Sequence, residues 1–431
     1  MSSTTWLKLM AVGVLIAGLF SLAVACVPAP PVEEVPPAEE VAPPPEEEVA
    51  PKEVSLVLWT KEGEEPLEWN QALVQEYMEA NPGVTIELVH KTTVEILRED
   101  FLTASLAGTP PDLLWTVNDH AGPFVAADTI EPVDGLFDLG LFIDAALAAV
   151  ELEGQHWGVP ISSGNHLMLL YNKKLLAEAP KDTDELFAQG KELTGGGNWG
   201  LVWNQTEPFW LVPWLGGFKG KVFAEDGVTP TLNTPEMVAT LKFLHDMKYE
   251  AKIIPPESDY DAADTLFKEG KAAMIINGDW ALGSYVEVLG DDLGVARIPK
   301  VVATGEWPKP YTSGVYFMLA KGLSGEKLEA AQDFISFVVS KDKQLEMVKL
   351  LKRLPALEEA LEDPLITEDP ILKGSADQMV VGTPMPTVLE MRCNWDAMKP
   401  EMLAVLADTK TPEDAAKAMQ SAAEACIKAL E

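Results

Sequence analysis

The sequence contains little of what metal sites and the common catalytic sites require. Its 431 residues include only three cysteines and five histidines, and the histidines are scattered, without the close spacing of zinc ligands. No Ser-His-Asp order and no glycine-rich dinucleotide turn is present. The glycines at 195–197 lack the lysine and the hydroxyl residue of a phosphate-binding loop. We therefore expect neither a metal nor a cofactor.

Positive charge is also scarce. Lysine and arginine number 32 against 68 aspartates and glutamates, which gives a formal net charge of −36. So acidic a chain repels polyanions, because nucleic-acid binding depends on lysine and arginine neutralising phosphates. Nucleic acid is thus excluded as a partner, and neutral or cationic ligands remain.

One long hydrophobic run occurs, close to the amino terminus. Lys8 precedes an apolar segment at 9–22, and Ala-Val-Ala at 23–25 stands before Cys26. This pattern predicts an export signal over residues 1–25. The small residues ahead of Cys26 favour processing as a bacterial lipoprotein, with the lipid on that cysteine. A soluble secreted protein and an uncleaved anchor helix are the alternatives.

The next segment, residues 26–53, cannot form a core. Between residues 27 and 53 the chain has nine prolines and eight glutamates, a composition that stays extended and solvated. We interpret the segment as a tether that holds a folded body above a membrane surface.

The remaining two cysteines belong to two predicted helices near the carboxyl terminus. Apolar residues at helical spacing surround Cys393, a second helix is predicted over 412–430, and residues 408–411 form a turn. Since Cys393 and Cys426 lie about equally far from that turn, an antiparallel hairpin brings them together. We predict a disulfide that contributes roughly 3–4 kcal/mol to stability. Two buried free thiols are the alternative.

The body of the chain follows an α/β pattern. Apolar strands at 54–60, 84–88 and 113–115 are separated by amphipathic helices, which predicts a mainly parallel sheet with helices on both faces. A hairpin is predicted at 151–160, and a second α/β region runs from about 166 to 309. The length allows two domains with separate cores.

The stretch at 267–280, FKEGKAAMIINGDW, places a tryptophan where α/β proteins bind ligands. A helix ends at Gly270, and the apolar run at 272–276 predicts a strand covered on both faces. Trp280 follows just past the carboxyl end of that strand, which is the edge at which open α/β sheets bind ligands. Trp280 is either a packing residue or a platform that stacks on a flat, partly apolar ligand.

Six short motifs along the chain form a recognisable set. They are PDLLW at 111–115, GVPI at 158–161, LYNKKLL at 170–176, NQTEPF at 204–209, the stretch at 267–280, and Met385-Pro386 followed by Trp395. With these motifs the chain resembles the family 1 extracellular solute-binding proteins of ABC importers. Within that family it is most similar to the maltose/maltodextrin-binding proteins. The resemblance covers nearly all of residues 54–431.

The resemblance implies the class II periplasmic-binding-protein fold: two α/β lobes, each with a mainly parallel sheet, hinged around a ligand cleft. Each lobe is discontinuous in such a fold, and we place lobe one at 54–162 and 312–366, and lobe two at 163–311 and 367–431. The implied function is to bind an oligosaccharide outside the cytoplasm, in the periplasm or on the outer face of the cytoplasmic membrane, and to deliver it to an ABC permease by cleft closure. Such a protein is a monomer and not an enzyme.

The resemblance also implies roles for particular residues. Glu207 matches a carboxylate that bonds sugar hydroxyls, and Phe209 matches a stacking aromatic residue. Trp280 and Trp395 match two stacking tryptophans, and Asp119 matches a sugar-binding carboxylate of lobe one.

Other positions depart from the family. His120 replaces an arginine, Thr116 a stacking tryptophan and Lys399 another arginine. Glu64 stands where the family has a polar pair after the first strand, and Asn165 lies where it has another carboxylate. We retain Glu64, Asn165 and Lys399 as candidate ligand contacts. The aromatic residues of lobe two are largely retained, which favours a carbohydrate, whereas the altered polar set of lobe one does not specify maltose.

Two other functions fit part of the pattern. An exported glycoside hydrolase would need two carboxyl groups roughly 5–10 Å apart, one of them with a raised pKa, and the sequence marks out no such pair. A binding protein for a non-sugar solute, such as a cation, would suit the acidic composition.

Overall fold

The computed structural model describes residues 53–430. The predicted export signal at 1–25, the lipidation predicted at Cys26 and nearly all of the predicted tether lie outside the described residues. Within 53–430 the structure contains no helix that is both long and apolar enough to span a bilayer.

Fourteen strands are present in the described part of the chain. They are β1 (Val54–Thr60), β2 (Val84–His90), β3 (Leu113–Val117), β4 (Ile130–Glu131), β5 (Glu151–Leu152), β6 (Gln155–His156), β7 (Val159–Gly164), β8 (Leu167–Asn172), β9 (Trp199–Trp203), β10 (Ala272–Gly278), β11 (Leu293–Ala296), β12 (Tyr311–Ala320), β13 (Leu354–Pro355) and β14 (Thr383–Pro384).

Fifteen α-helices accompany these strands in residues 53–430. They are α1 (Glu64–Ala80), α2 (Val94–Leu106), α3 (Ala121–Ala126), α4 (Asp144–Ala148), α5 (Thr183–Leu193), α6 (Val212–Gly217), α7 (Pro235–Tyr249), α8 (Tyr260–Lys268), α9 (Leu282–Leu289), α10 (Gly325–Val338), α11 (Lys341–Leu351), α12 (Pro364–Thr367), α13 (Pro370–Met379), α14 (Glu390–Leu406) and α15 (Pro412–Leu430).

Local sequence sets where several of these helices begin. Thr93, Asp182, Thr234 and Asp259 precede α2, α5, α7 and α8, and the side chain of each accepts a hydrogen bond from a backbone N–H of the first turn. These N–H groups have no partner inside the helix, so a capping oxygen stabilises its start.

The first sheet has the strand order β13-β7-β12-β3-β1-β2, and β4 and β14 pair with β12. Strand β1 is parallel to β2 and β3, whereas β12 is antiparallel to β3 and β7. Apolar side chains of α1 and α10 pack with the strands, and a representative set is Leu56, Leu73, Phe317 and Phe334.

The second sheet has the strand order β11-β8-β10-β9. Strand β10 is parallel to β9 and antiparallel to β8. One face packs against α7 and α14, with Leu169, Leu244 and Met398 in its core. The other face packs against α8 and α9, through Phe267 and Tyr285.

Both sheets are mixed, so the prediction of mainly parallel sheets is wrong in this respect. The reason is how the chain enters each lobe. Leu167, the first residue of β8, pairs with Gly278, the last residue of β10, and Ser313 near the start of β12 pairs with Gly164, the last residue of β7. A chain that crosses a hinge must begin its strand at the cleft edge, where the other strands end. It therefore runs antiparallel to them.

We call the first sheet with α1, α2, α10 and α11 lobe one, and the second sheet with α5, α7–α9 and α13–α15 lobe two. The chain crosses between the two sheets at 165–166 and again at 297–310. It crosses a third time after β13, because α13 packs against β11 of the second sheet. The described part of the chain therefore forms two lobes joined by several crossings, as expected.

The predicted helix hairpin near the carboxyl terminus consists of α14 and α15, which pack against each other and against α7. Cys393 of α14 and Cys426 of α15 are joined by a disulfide, with their Cα atoms 5.6 Å apart. The bond fixes α14, whose other face is directed toward the groove between the lobes.

Candidate functional site

The first component of the site is Trp280, which follows β10 at the cleft edge of lobe two. Its indole lies against Gly278, where an added Cβ would come within 2.2 Å of the ring. Only glycine therefore allows this ring position. The indole N–H donates to the hydroxyl of Tyr260, 3.1 Å away. The ring is thus held in one orientation while part of it stays exposed.

Phe209 lies between the two tryptophans predicted to stack on a ligand. Its ring centroid is 6.1 Å from that of Trp280 and 6.3 Å from that of Trp395, and both interplanar angles are 51°. Phe209 belongs to a short 3₁₀ helix, Pro208–Trp210. Beneath it, the buried Trp210 donates its indole N–H to the carbonyl of Ile276. The three partly exposed rings of Phe209, Trp280 and Trp395 form one surface, which we call the aromatic wall.

Trp395 links this wall to the opposite lobe. It projects from α14, contacts the edge of Tyr311 at 6.0 Å between centroids, and donates its indole N–H to Oδ2 of Asp119, 3.3 Å away. Asp119 follows β3 in lobe one. The aromatic wall of lobe two therefore meets a carboxylate of lobe one, and the lobes are close together in this structure.

Asp119 has spare capacity to accept hydrogen bonds. Its Oδ1 is buried and makes no hydrogen bond within the described residues. Burial raises the pKa of Asp119 to about 6, although the nearby Arg98 opposes the rise. A buried carboxyl oxygen without a partner carries an unfavourable desolvation free energy. A donor from a ligand would remove that cost.

A second carboxylate, Glu207, stands two residues before Phe209 of the wall. Lys399 of α14 donates to its Oε1 at 2.5 Å. Burial raises the pKa of Glu207 and the hydrogen bond from Lys399 opposes the rise. The side chains of Glu207 and Lys399 remain 29% and 45% exposed, so both can also contact a ligand.

The structure gives protein partners to the two remaining candidates. Glu64, the first residue of α1, bonds Lys268 of α8 in lobe two, 3.3 Å away. Asn165 lies in the crossing between the lobes, where its backbone N–H donates to Asp279 and its amide donates to Ser313. As ligand contacts, Glu64 and Asn165 stay predictions.

A buried group of charges beneath the site escaped the sequence reasoning. Arg353 bonds both carboxylate oxygens of Glu62, at 2.7 and 3.0 Å, and Lys61 lies 3.4 Å from the same carboxylate. Burial alone would raise the pKa of Glu62, but the two cations outweigh it and lower that pKa to about 2. The residues are 291 apart in sequence, and neither occurs in a motif that could have indicated the pair.

The position where the family has an arginine holds a neutral side chain. His120 is buried, its Nδ1 is 2.8 Å from the hydroxyl of Thr116, and burial keeps its pKa well below the usual 6.5. Thr116 is itself fully buried. This pair therefore forms part of the floor of lobe one and does not supply a cation. Within residues 53–430 no cluster of histidine, cysteine and carboxylate side chains could hold a metal ion.

Two hinged α/β lobes, with exposed rings of one lobe and a partly unbonded carboxylate of the other meeting in the groove between them, define a solute-binding protein. The chain belongs to the bacterial extracellular solute-binding protein family, whose model matches residues 72–374. The resemblance that the six motifs indicated is thereby confirmed.

Relatives of known specificity are similar over most of the chain. The maltotriose-binding protein of Pyrococcus abyssi is 28% identical over 363 residues, which cover 82% of this chain and 78% of the relative. The galactooligosaccharide-binding protein of Bacillus subtilis is 25% identical over 364 residues, which cover 81% of this chain and 85% of the relative.

A solved structure shows the same architecture. The maltose/maltodextrin-binding domain of Bdellovibrio bacteriovorus bound to maltotriose is 35% identical, with a TM-score of 0.84, and the match covers 87% of this chain and 100% of that one. The prediction of a two-lobed binding-protein fold is confirmed by this likeness.

Proposed function

We propose that the protein binds a maltodextrin-like oligosaccharide outside the cytoplasm and delivers it to an ABC import permease. The observation that carries the proposal is the aromatic wall of Phe209, Trp280 and Trp395 with the nearby carboxylates of Glu207 and Asp119. A sugar ring has apolar C–H faces and a rim of hydroxyls. Flat rings cover the faces and carboxylates accept from the rim.

The size of the wall favours a chain of sugar units. Successive centroids are 6.1 and 6.3 Å apart, so a ligand that contacts all three rings must extend along the wall. Three aromatic contacts at about 1.5–3 kcal/mol each and several hydroxyl bonds at about 1 kcal/mol each offset the cost of association. The sum reaches the roughly 8 kcal/mol that corresponds to micromolar affinity.

Binding is coupled to closure because the polar groups come from both lobes. Glu207 and the three rings belong to lobe two, whereas Asp119 belongs to lobe one. A ligand that first contacts lobe two gains its bond to Asp119 only when the cleft closes. It therefore shifts the hinge equilibrium toward the closed state, which is the form that a permease would recognise.

The amino-terminal residues support an anchored location. The export signal at 1–25, the acceptor at Cys26 and the acidic tether at 26–53 together suit a monomeric lipoprotein on the outer face of the cytoplasmic membrane. From the family resemblance we also propose the lobe boundaries, with lobe one at 54–162 and 312–366 and lobe two at 163–311 and 367–431.

The protein is also proposed to leave its ligand chemically unchanged. The family is one of solute-binding proteins, and the relatives described above are named as binding proteins, which favours binding without cleavage. Maltotriose recovered intact after prolonged incubation with a saturating amount of protein is the expected result. Release of glucose or maltose would contradict it.

Calorimetric titration of the protein with maltose, maltotriose and a galactooligosaccharide tests the proposal. Trp280→Ala and Trp395→Ala should each raise Kd about tenfold to a hundredfold, because each removes a stacking face. Trp199→Ala is the matched control, since Trp199 begins β9 at the end of the sheet far from the cleft. Wild-type affinity in both cleft variants, or a cation that binds equally well to all four proteins, would contradict a sugar site.

A further inference from the structure

A charge pair outside the aromatic wall joins the two lobes. Lys268, the last residue of α8 in lobe two, bonds Oε2 of Glu64 at 3.3 Å, and Glu64 is the first residue of α1 in lobe one. The two residues are 204 apart in sequence. Because they belong to different lobes, their contact depends on how far the cleft is closed.

Lobe two holds Lys268 in place without help from lobe one. Its ammonium group is 3.0 Å from the buried carboxylate of Asp264, one helical turn earlier, and lies 5.7 Å from the ring centroid of Tyr285. Both partners belong to the same lobe, so these contacts persist whatever the hinge angle. Lys268 therefore offers an oriented positive charge to whatever lobe one brings near it.

Lobe one presents Glu64 in a special backbone conformation. Glu64 has φ of 48°, in the left-handed region, which a residue with a side chain adopts only at a cost. Glu64 adopts this conformation at the start of α1, where its carboxylate contacts Lys268 of α8. The Glu64 side chain remains 52% exposed, so solvent and salt reach the pair.

We propose that Glu64 and Lys268 form a latch that stabilises the closed cleft and thereby raises affinity without either residue touching the ligand. The inference rests on the proposed function, since it concerns closure around that ligand. The latch contributes to the closed state alone, and ligand affinity includes the free energy of closure. A substitution at either residue should therefore change Kd by the same factor as it changes the equilibrium between the open and closed states.

The sign of the coupling follows from the charges around Lys268. If Lys268 were removed, the carboxylate of Glu64 would face the like charge of Asp264. The charge of Lys268 also acts on Glu65 of α1, where it opposes the rise in pKa that burial causes. Glu64→Gln should then weaken binding when Lys268 is present and fail to weaken it when Lys268 is absent. A direct contact between Glu64 and the sugar predicts the same loss in both backgrounds.

A double-mutant cycle with Glu64→Gln, Lys268→Met and both changes tests the latch, with the full chain and maltotriose as the titrant. Glu64→Gln should raise Kd about two- to fivefold, the range for a partly exposed ion pair, and Lys268→Met at least as much. Adding Glu64→Gln to Lys268→Met should cause no further rise. Glu68→Gln, which removes an exposed charge one turn further along α1, should leave Kd unchanged.

Salt supplies an independent readout. Raising ionic strength from about 0.01 M to about 1 M shortens the screening length from about 30 Å to about 3 Å, so the effect of Glu64→Gln on Kd should shrink with salt. Thermal unfolding of each variant distinguishes a loss of affinity from a folding defect. The Tm of Glu64→Gln should equal that of the wild type, because Glu64 is exposed and its replacement removes no core packing.

The outcomes are distinguishable from failure of the proposed function. Absence of binding by the wild-type protein would overturn the function and the latch together. Normal binding by the wild type, with Glu64→Gln binding equally well or with fully additive losses in the double variant, would overturn the latch alone.

Discussion

The indole N–H of Trp395 in lobe two donates to the carboxylate of Asp119 in lobe one across 3.3 Å. This bond places one ring of the aromatic wall against an acidic group of the opposite lobe. It therefore couples the protonation of Asp119 to a contact between the two lobes.

The stability of the protein should depend on pH through Asp119. Its folded pKa of about 6 lies above the ordinary value of 3.8 because of burial, so the folded state binds more protons than the unfolded state between these values. Stability from this group is then full below about pH 4 and is lost as pH rises through about 6. Asp119→Asn should abolish this dependence.

Thermal unfolding of wild type and Asp119→Asn at a series of pH values checks the prediction. The wild type should lose Tm relative to the variant as pH rises from about 4 to about 6. Asp128, an exposed aspartate of the same lobe, provides the matched control Asp128→Asn, for which no such divergence is expected. A constant difference between wild type and Asp119→Asn would contradict the assignment.

Adding one methyl group at Gly278 should damage the aromatic wall without removing any ring. An alanine Cβ would lie 2.2 Å from the indole of Trp280, so the ring must leave its place and lose its bond to Tyr260. Gly278→Ala should raise the sugar Kd about tenfold or more and change the tryptophan emission, since a displaced indole cannot stack.

Gly140→Ala is the control for Gly278→Ala. Its Cβ would meet only the side chain of Asp138, at 3.3 Å, in an exposed turn of lobe one. Sugar affinity equal to that of wild type in Gly278→Ala would show that the Trp280 ring can move without loss of binding.

Breaking the buried pair of Glu62 and Arg353 should cost far more stability than breaking a surface pair. Arg353→Met removes both hydrogen bonds to the buried Glu62 carboxylate and leaves Lys61 as its remaining cationic neighbour. It should lower the free energy of unfolding by about 3 kcal/mol, the lower end of the range for a broken buried pair. Lys221→Met removes an exposed pair with Glu225 and should change it by less than about 1 kcal/mol.

Denaturant unfolding of both variants measures the loss of unfolding free energy. The dependence of that free energy on acidic pH provides a second test. Because the pKa of Glu62 is depressed to about 2 from 4.5, its contribution is present above about pH 4.5 and lost as pH falls toward 2. Arg353→Met should lose this acid sensitivity. Equal costs for Arg353→Met and Lys221→Met would contradict the prediction.

The disulfide between Cys393 and Cys426 should be detectable by thiol counting. Protein unfolded without reductant should show no reactive thiol at either position, and reduction should expose both. The paired change Cys393→Ala with Cys426→Ser should lower stability by roughly 3–4 kcal/mol, from the 33-residue separation and the chain-entropy relation. Two reactive thiols before reduction would be the contrary finding.

The sequence predicted those parts of the site whose position follows from a local pattern. Trp280 lies at the cleft because an apolar strand ends two residues before it, and β10 forms where that run was found. Phe209 and Trp395 were placed by motif resemblance, and the structure brings both within 6.3 Å of one another. The hairpin at 151–160 was likewise local, since Glu153 and Gly154 both have positive φ, as a two-residue turn between antiparallel strands requires.

What the sequence could not supply depends on residues far apart in the chain. Arg353 and Glu62, or Lys268 and Glu64, meet only after the lobes are assembled, and no spacing in the sequence marks either pair. The direction of β12 and β8 was missed for the same reason. A strand's apolar pattern shows that it is buried, but its direction depends on the edge at which the chain enters the sheet.

The place of β12 between β3 and β7 has a consequence for biogenesis. This central strand comes from residues 311–320, so every strand of the second sheet has been synthesised before the first sheet can close. During synthesis, the strands of the second sheet can pair from one continuous stretch while the first sheet still lacks its middle strand. The sheet that begins second can therefore complete its strand pairing first, and α14 and α15 cover it only at the end of synthesis.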